Sequence, residues 1–249
     1  MQEVLEMNTE QQEALKKALG NDMVLTDPDA MQRFCRDFPG DVEYGAVAVL
    51  RPRSTEEVSL AVKTSRALGL GIIPQGGNTG LVQGGVPDGQ SDVVILSLER
   101  MNRIRQVDPD DFSAIVEAGC ILLEMKNQLA AQGMFFPLAL GAQGSCRIGG
   151  NVSTNAGGVN VLRYGMTREL VLGLEVVLPD GSIFNGLSTL RKDKLHSLRN
   201  EEPARGAGHV FPAGAWSTGK LPYRRQCQHQ CRWRQCVALR DDTGIGVGT

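Results

Sequence analysis

The chain has 249 residues, 41% of them hydrophobic and 22% charged, which supplies a core for one large domain or two small ones and excludes disorder throughout. Its 30 glycines stand well above a usual share of roughly 7%, whereas aromatics are only 5%. Close main-chain approaches therefore matter more than ring stacking, and a nucleic-acid platform built on aromatics is disfavoured. The net charge of −2 averages two materials, because residues 194–249 hold nine Lys/Arg against four Asp/Glu and the rest of the chain is acidic.

Residues 1–20, MQEVLEMNTEQQEALKKALG, read as an amphipathic helix. Acidic and polar side chains stand where a targeting peptide carries basic ones, so a cytoplasmic chain is the expectation. No apolar run approaches the ~20 residues of a transmembrane segment. Residues 1–44 form an N-terminal helical segment.

From Ala46 strand-like and helix-like stretches alternate. AVAVL (46–50) reads as a buried strand, and Ser54-x-x-Glu57 as a capping box opening a helix that buries Val58, Ala61, Val62 and Ser65. GIIPQ (71–75) is the next strand, which makes a βαβ unit. DVVILSL (92–98) follows as another buried strand, then two strands within 104–119 joined around Pro109-Asp110-Asp111. ILLEMKNQLAAQG (121–133) is a helix ended by Gly133, and LVLGLEVVLPDGSIF (170–184) is a hairpin turning at Asp180-Gly181.

Two glycine-rich loops interrupt this order. GGNTGLVQGG (76–85) and GGNVSTNAGG (149–158) share the pattern G-G-N-x5-G-G at the same internal spacing. Glycine pairs also serve as plain turns; it is the repetition that points to a ligand. Missing Cβ atoms let main chain approach it, and successive N–H groups converge on an anion. Two such loops can clamp one diphosphate from two sides, with hydroxyls and amides of Thr79, Ser145, Asn151, Ser153, Thr154 and Asn155 adding hydrogen bonds. The G-x-G-x-x-G of a nicotinamide site and the G-K-[ST] of an ATP loop are both missing.

The strings PQGGNTGLVQGG, VVILSLERMNRI, AGCILLEMKNQLAAQG, FPLALGAQGSCRIGGNVSTNAGGVNVLRYG and VLGLEVVLPDG resemble the FAD-binding half of the vanillyl-alcohol oxidase and p-cresol methylhydroxylase flavoproteins. Within these the chain is most similar to the D-2-hydroxyacid dehydrogenase branch, which contains D-2-hydroxyglutarate dehydrogenase, D-lactate dehydrogenase and the glycolate oxidase D subunit. The resemblance implies an α+β chain of two α/β subdomains with FAD between them. It places the diphosphate on Gly76, Gly77, Asn78, Thr79, Gly80 and Leu81, and the flavin near Gly144, Ser145, Gly149, Gly150, Asn151, Thr154, Asn155 and Gly157. Members with covalent flavin often carry histidine in the first loop; this chain has Asn78 there, and no histidine in residues 1–193, so noncovalent FAD is expected. The implied reaction oxidises a D-2-hydroxy acid to a 2-oxo acid and passes electrons to an acceptor. No catalytic residue and no metal site is assigned, and no nucleic-acid partner is expected.

The resemblance covers residues 45–193, an FAD-binding domain whose second subdomain is incomplete. In the family a segment completing the flavin site and a substrate domain follow; here KLHSLRNEEPARGAGHVF leads into a tail, 194–249, expected to be out of frame or disordered. Without further strands the 170–184 hairpin is expected to leave exposed edges. The alternative to an active dehydrogenase is a catalytically silent, truncated FAD-binding fragment. In the tail, Cys227, His229, Cys231 and Cys236 lack the usual C-x2-C zinc spacing, and the run Arg224, Arg225, Arg232, Arg234 reads as a solvated charge run. Cys35, Cys120 and Cys146 read as reduced packing residues. Arg163 and Tyr164 read equally as surface groups or as neighbours of the cofactor.

Overall fold

The computed structural model describes residues 2–41, 43–89, 92–187 and 232–239, with backbone alone for 2–8 and 232–239. Two sheets organise it. The first contains β1 (Val24–Leu25), β2 (Ala48–Leu50), β3 (Gly71–Gln75) and β4 (Val93–Ser97), in the spatial order β1-β2-β4-β3. β2, β4 and β3 are mutually parallel, while β1 runs antiparallel to β2. The βαβ expectation holds for direction, but β4 inserts between β2 and β3.

All five residues of β4 are buried, as a central strand covered on both faces requires. One face meets α1 (Gln2–Leu19) and α3 (Thr55–Ala67), which bring Leu15, Val58, Ala61 and Val62 onto Ala48, Leu50, Val94 and Leu96. The other face meets α2 (Pro28–Cys35), whose Met31, Phe34 and Cys35 cover Val49 and Ile95. Local chemistry sets the helix starts: Asp27 accepts main-chain N–H bonds from Asp29 and Ala30 ahead of Pro28. Ser54 caps α3 by accepting from Glu57 N, and Glu57 reaches back to Arg53 N rather than to Ser54 itself. The segment 1–44 is thus more than helical: it adds a strand to the first sheet and packs into its core.

The second sheet contains β5 (Ile104–Asp108), β6 (Ser113–Glu117), β7 (Val171–Val177), β8 (Ile183–Asn185) and β9 (Arg232–Leu239), in the order β5-β6-β9-β7-β8. Its core packs Val116 with Leu122, Met125 and Leu129 of α4 (Leu122–Ala130), and with Phe136, Leu138 and Ile148. Gly133 (φ +74°) follows α4 in the left-handed conformation. Three short helices, α5 (Ile148–Ser153), α6 (Val161–Tyr164) and α7 (Thr167–Leu170), occupy the stretch before β7.

Two expectations are corrected here. β9 lies parallel between β6 and β7, so the 170–184 hairpin does not leave β7 as an open edge; β8 closes its other side. Moreover, the second glycine motif is not an open loop: its first six positions fall in or against α5. The rest of the tail, including Cys227, His229, Cys231, Arg224 and Arg225, lies outside the described residues, and of Cys236, Arg232 and Arg234 only the backbone is described.

The sheets are joined through buried charge. Glu175 of β7 accepts a hydrogen bond from Thr55 Oγ1 at 2.6 Å and pairs with Arg105 Nη1 of β5 at 3.2 Å. Arg105 Nε also reaches Glu117 of β6 at 3.3 Å.

Candidate functional site

At the carboxyl end of β3 the chain enters the first glycine stretch directly from Gln75. That residue is buried, and its Nε2 donates to Phe34 O at 2.8 Å and Gly85 O at 2.6 Å. One amide thereby ties the stretch's end to its beginning and both to α2. Asn78, at φ +49°, donates through Nδ2 to Arg36 O at 2.7 Å. Beyond it the stretch turns outward: Gly80 has open space where a side chain would stand, and Leu81 is 72% exposed.

The second stretch starts where Cys146 and Ile148 bond to the β6–α4 connection. Leu122 N donates to Cys146 O, Ile148 N to Cys120 O and Gly149 N to Ala118 O at 2.7 Å. These bonds fix α5 in place although glycine costs a helix roughly 1 kcal/mol relative to alanine. Close approach explains the cost: a Cβ at Gly149 would stand 2.9 Å from the Cβ of Ala118.

The two stretches meet backbone to backbone. A Cβ on Gly76 would lie 3.3 Å from Gly150 N, and one on Gly77 would overlap Ser145 O and stand 3.0 Å from Cys146 Cα. No main-chain N–H from Gly76 to Leu81 has an acceptor among the described residues. The same holds for Gly150, and Gly144 opens onto free space. Main-chain N–H groups without partners around a surface without side chains can seat an anion.

The remaining expected positions divide. Ser145 is exposed, its Oγ donating weakly to Ala142 O at 3.4 Å, and Asn151 is buried, its Nδ2 pointing at Cys146 Sγ. Thr79 is half-buried in the first stretch. Ser153 and Thr154 turn their hydroxyls back onto Gly149 O and Gly150 O of their own helix. Asn155 (φ +47°) accepts from Arg168 N, and Gly157 sits tightly under Val161. These bonds and contacts lie within α5 to α7. Arg163 lies over the Tyr164 ring at 5.1 Å, and Tyr164 meets Phe135 edge to face, so both form a local surface cluster.

Cys35, Cys120 and Cys146 are buried and free. Burial raises all three thiol pKa values, that of Cys120 to about 12. Cys146 borders the site as a neutral packing group. No group of His, Cys, Asp and Glu among the described residues is arranged to hold a metal ion.

Sequence reasoning missed Gln75 and Arg147. Gln75 is the polar end of an apolar strand that enters a glycine stretch, a signal available in the sequence. Arg147 has no such signal; its guanidinium is half-buried and donates to Gly119 O at 2.6 Å.

Comparison with known proteins bears on the same residues. A family model described as an FAD binding domain matches residues 46–186. The mitochondrial D-2-hydroxyglutarate dehydrogenase of Danio rerio is 46% identical over 177 residues, covering 71% of this chain and 33% of the relative. Its Bos taurus counterpart is 44% identical over 170 residues, covering 68% and 31%. The chain thus spans about a third of the length of these relatives. Among solved structures, an alkyldihydroxyacetonephosphate synthase superimposes with a TM-score of 0.63 at 22% identity, covering 75% of this chain and 40% of that one. A p-cresol methylhydroxylase does so at 0.55 and 22%, covering 72% and 35%; both show the fold.

The cytoplasmic expectation is overturned by the relatives, which are mitochondrial proteins in fish, cattle, rat and rice. The acidic first helix on which it rested is a folded part of the domain, with Leu15 fully buried in the core.

Proposed function

Because this chain belongs to the FAD-binding domain family of the p-cresol methylhydroxylase type and is homologous to the D-2-hydroxyacid dehydrogenases, we propose that it binds FAD noncovalently and serves the oxidation of a D-2-hydroxy acid to a 2-oxo acid. The observation that carries this reading is the meeting of Gly76 and Gly77 with Ser145, Cys146 and Gly150. It makes one continuous main-chain surface, rich in unspent N–H groups, from two distant segments.

Gly76 to Leu81 hold the diphosphate by main-chain N–H groups, and Gly144, Ser145, Gly149, Gly150 and Asn151 form the wall toward the flavin. Thr154, Asn155 and Gly157 keep that wall in shape. Bound FAD supplies the two-electron acceptor for the substrate's α-carbon hydrogen. The chain's residues orient it and exclude water from one side. Noncovalent attachment agrees with Asn78 in the first stretch and with Cys146, whose buried thiol has its pKa raised and so offers no thiolate.

A second reading, flavin binding without turnover, is favoured by a specific observation. The polar side chains carried by the two glycine stretches are all amides and hydroxyls, none of which is a base at neutral pH. The substrate, the acid–base group and the electron acceptor then depend on other parts of the enzyme.

One experiment separates these readings. The purified chain is loaded with FAD, filtered, and mixed without oxygen with D-2-hydroxyglutarate or D-lactate. A yellow protein that bleaches and gives up its flavin on acid precipitation supports the first reading; a yellow protein that does not bleach supports the second; a colourless one defeats both.

A further inference from the structure

Main-chain N–H groups carry only partial charges, and a diphosphate carries full ones. At the junction of the glycine stretches the main chain carries a group that matches them. Arg147 precedes α5, and its backbone is rooted in the junction: its N would lie 3.2 Å from a Cβ on Gly77, and its Cβ 3.7 Å from one on Gly76. Nη1 donates to Gly119 O at 2.6 Å and to Glu99 O at 3.4 Å. Both acceptors are neutral carbonyls. Nε and Nη2 meet no acceptor, and no carboxylate lies within ion-pair distance, among the described residues.

A half-buried cation without a contacting anion is costly. Burial lowers the Arg147 pKa, and Glu99 and Glu124 offset this only from a distance. Glu99 is already engaged, by Arg33 at 3.0 Å and Arg51 at 3.7 Å. Two guanidinium groups therefore share the Glu99 carboxylate while Arg147 reaches only the Glu99 main-chain oxygen, and Arg51 Nε is itself buried without a partner.

We propose that Arg147 is the cationic member of the diphosphate seat, and that the diphosphate of a dinucleotide is the counter-ion this cluster lacks. The inference rests on the flavin reading above and adds to it a charged side chain that orients the phosphates alongside the glycine amides. Arg147 acts on binding and positioning, not on the reacting atoms.

The test compares FAD with riboflavin, which has the ring system and no phosphate, by quenching of flavin fluorescence on the wild-type chain, Arg147→Gln and Arg147→Lys. Glutamine keeps a donor and removes the charge; lysine keeps the charge. The expected result is a loss of FAD affinity of roughly tenfold or more in Arg147→Gln, unchanged riboflavin affinity, and recovery of most of the loss in Arg147→Lys. Equal weakening of both flavins, or no weakening of FAD, overturns the proposal. If neither variant folds, dialysis of the wild-type chain against inorganic pyrophosphate decides: saturable binding displaced by FAD and not by riboflavin supports it, and no binding overturns it. The two readings fail separately. FAD held equally by wild type and Arg147→Gln removes the role of Arg147 and leaves the flavin reading, whereas pyrophosphate bound in an Arg147-dependent way by a chain that ignores FAD does the reverse.

Discussion

Gly77 rests on the carbonyl oxygen of Ser145 so closely that a methyl group has no place between them. The contact is main chain against main chain, so neither partner can swing aside as a side chain would. Gly77→Ala is expected to cost about 1–3 kcal/mol through overpacking and to abolish FAD retention on gel filtration. Gly80→Ala is the control: its Cβ enters open space, and its urea midpoint is expected to match wild type.

Gln75 holds both ends of the first stretch through bonds to Phe34 O and Gly85 O. Gln75→Leu has similar bulk and no donor, leaving two carbonyl acceptors without their partner. A loss of about 1–3 kcal/mol in urea denaturation is expected, with faster proteolysis within residues 76–85.

The thiol of Cys120 has its pKa pushed up to about 12 by burial. The folded state therefore holds this proton more tightly than the unfolded state, where the thiol titrates near 9. Its contribution to stability is complete below about pH 9 and declines as pH rises toward 12. Two measurements check this: no reaction of Cys120 with iodoacetamide at pH 8.5 until the chain is unfolded, and a drop in urea midpoint above pH 9 that is smaller in Cys120→Ala.

Glu117 is fully buried and accepts from Arg103 N at 2.8 Å while pairing with Arg103 and Arg105. Glu117→Gln is expected to destabilise by roughly 1.5–3 kcal/mol, the range for hydrogen bonds to a charged group. Thr55→Val removes the 2.6 Å bond to Glu175 and is expected to cost about 1 kcal/mol. Because Arg105 contacts both carboxylates, a double-mutant cycle is expected to show coupling rather than additivity.

Much of the fold was legible from local pattern. The strand at 71–75 and the buried face Val58, Ala61, Val62 and Ser65 of α3 stand where periodicity put them. The second glycine motif did not read correctly, because two adjacent glycines lower helix propensity while α5 is held by bonds to Ala118 O and Cys120 O from another part of the chain. Thr154 and Asn155, expected near the flavin, bond to Gly150 O and Arg168 N, partners that residue type alone does not give. Arg147 gave no signal within its glycine-rich run; its guanidinium is held by the main-chain carbonyls of Gly119 and Glu99.

The sequence by itself determined the repeated G-G-N-x5-G-G spacing, the alternation of strand and helix, and the family. These depend on neighbours within one or two turns, or on the order of residues alone. Only the tertiary structure decided that β4 enters between β2 and β3, and that Gly76 and Gly77 lie on Ser145 and Gly150. Both outcomes depend on pairs far apart in the chain, brought together by burial on two sheet faces and by glycines that let backbone touch backbone.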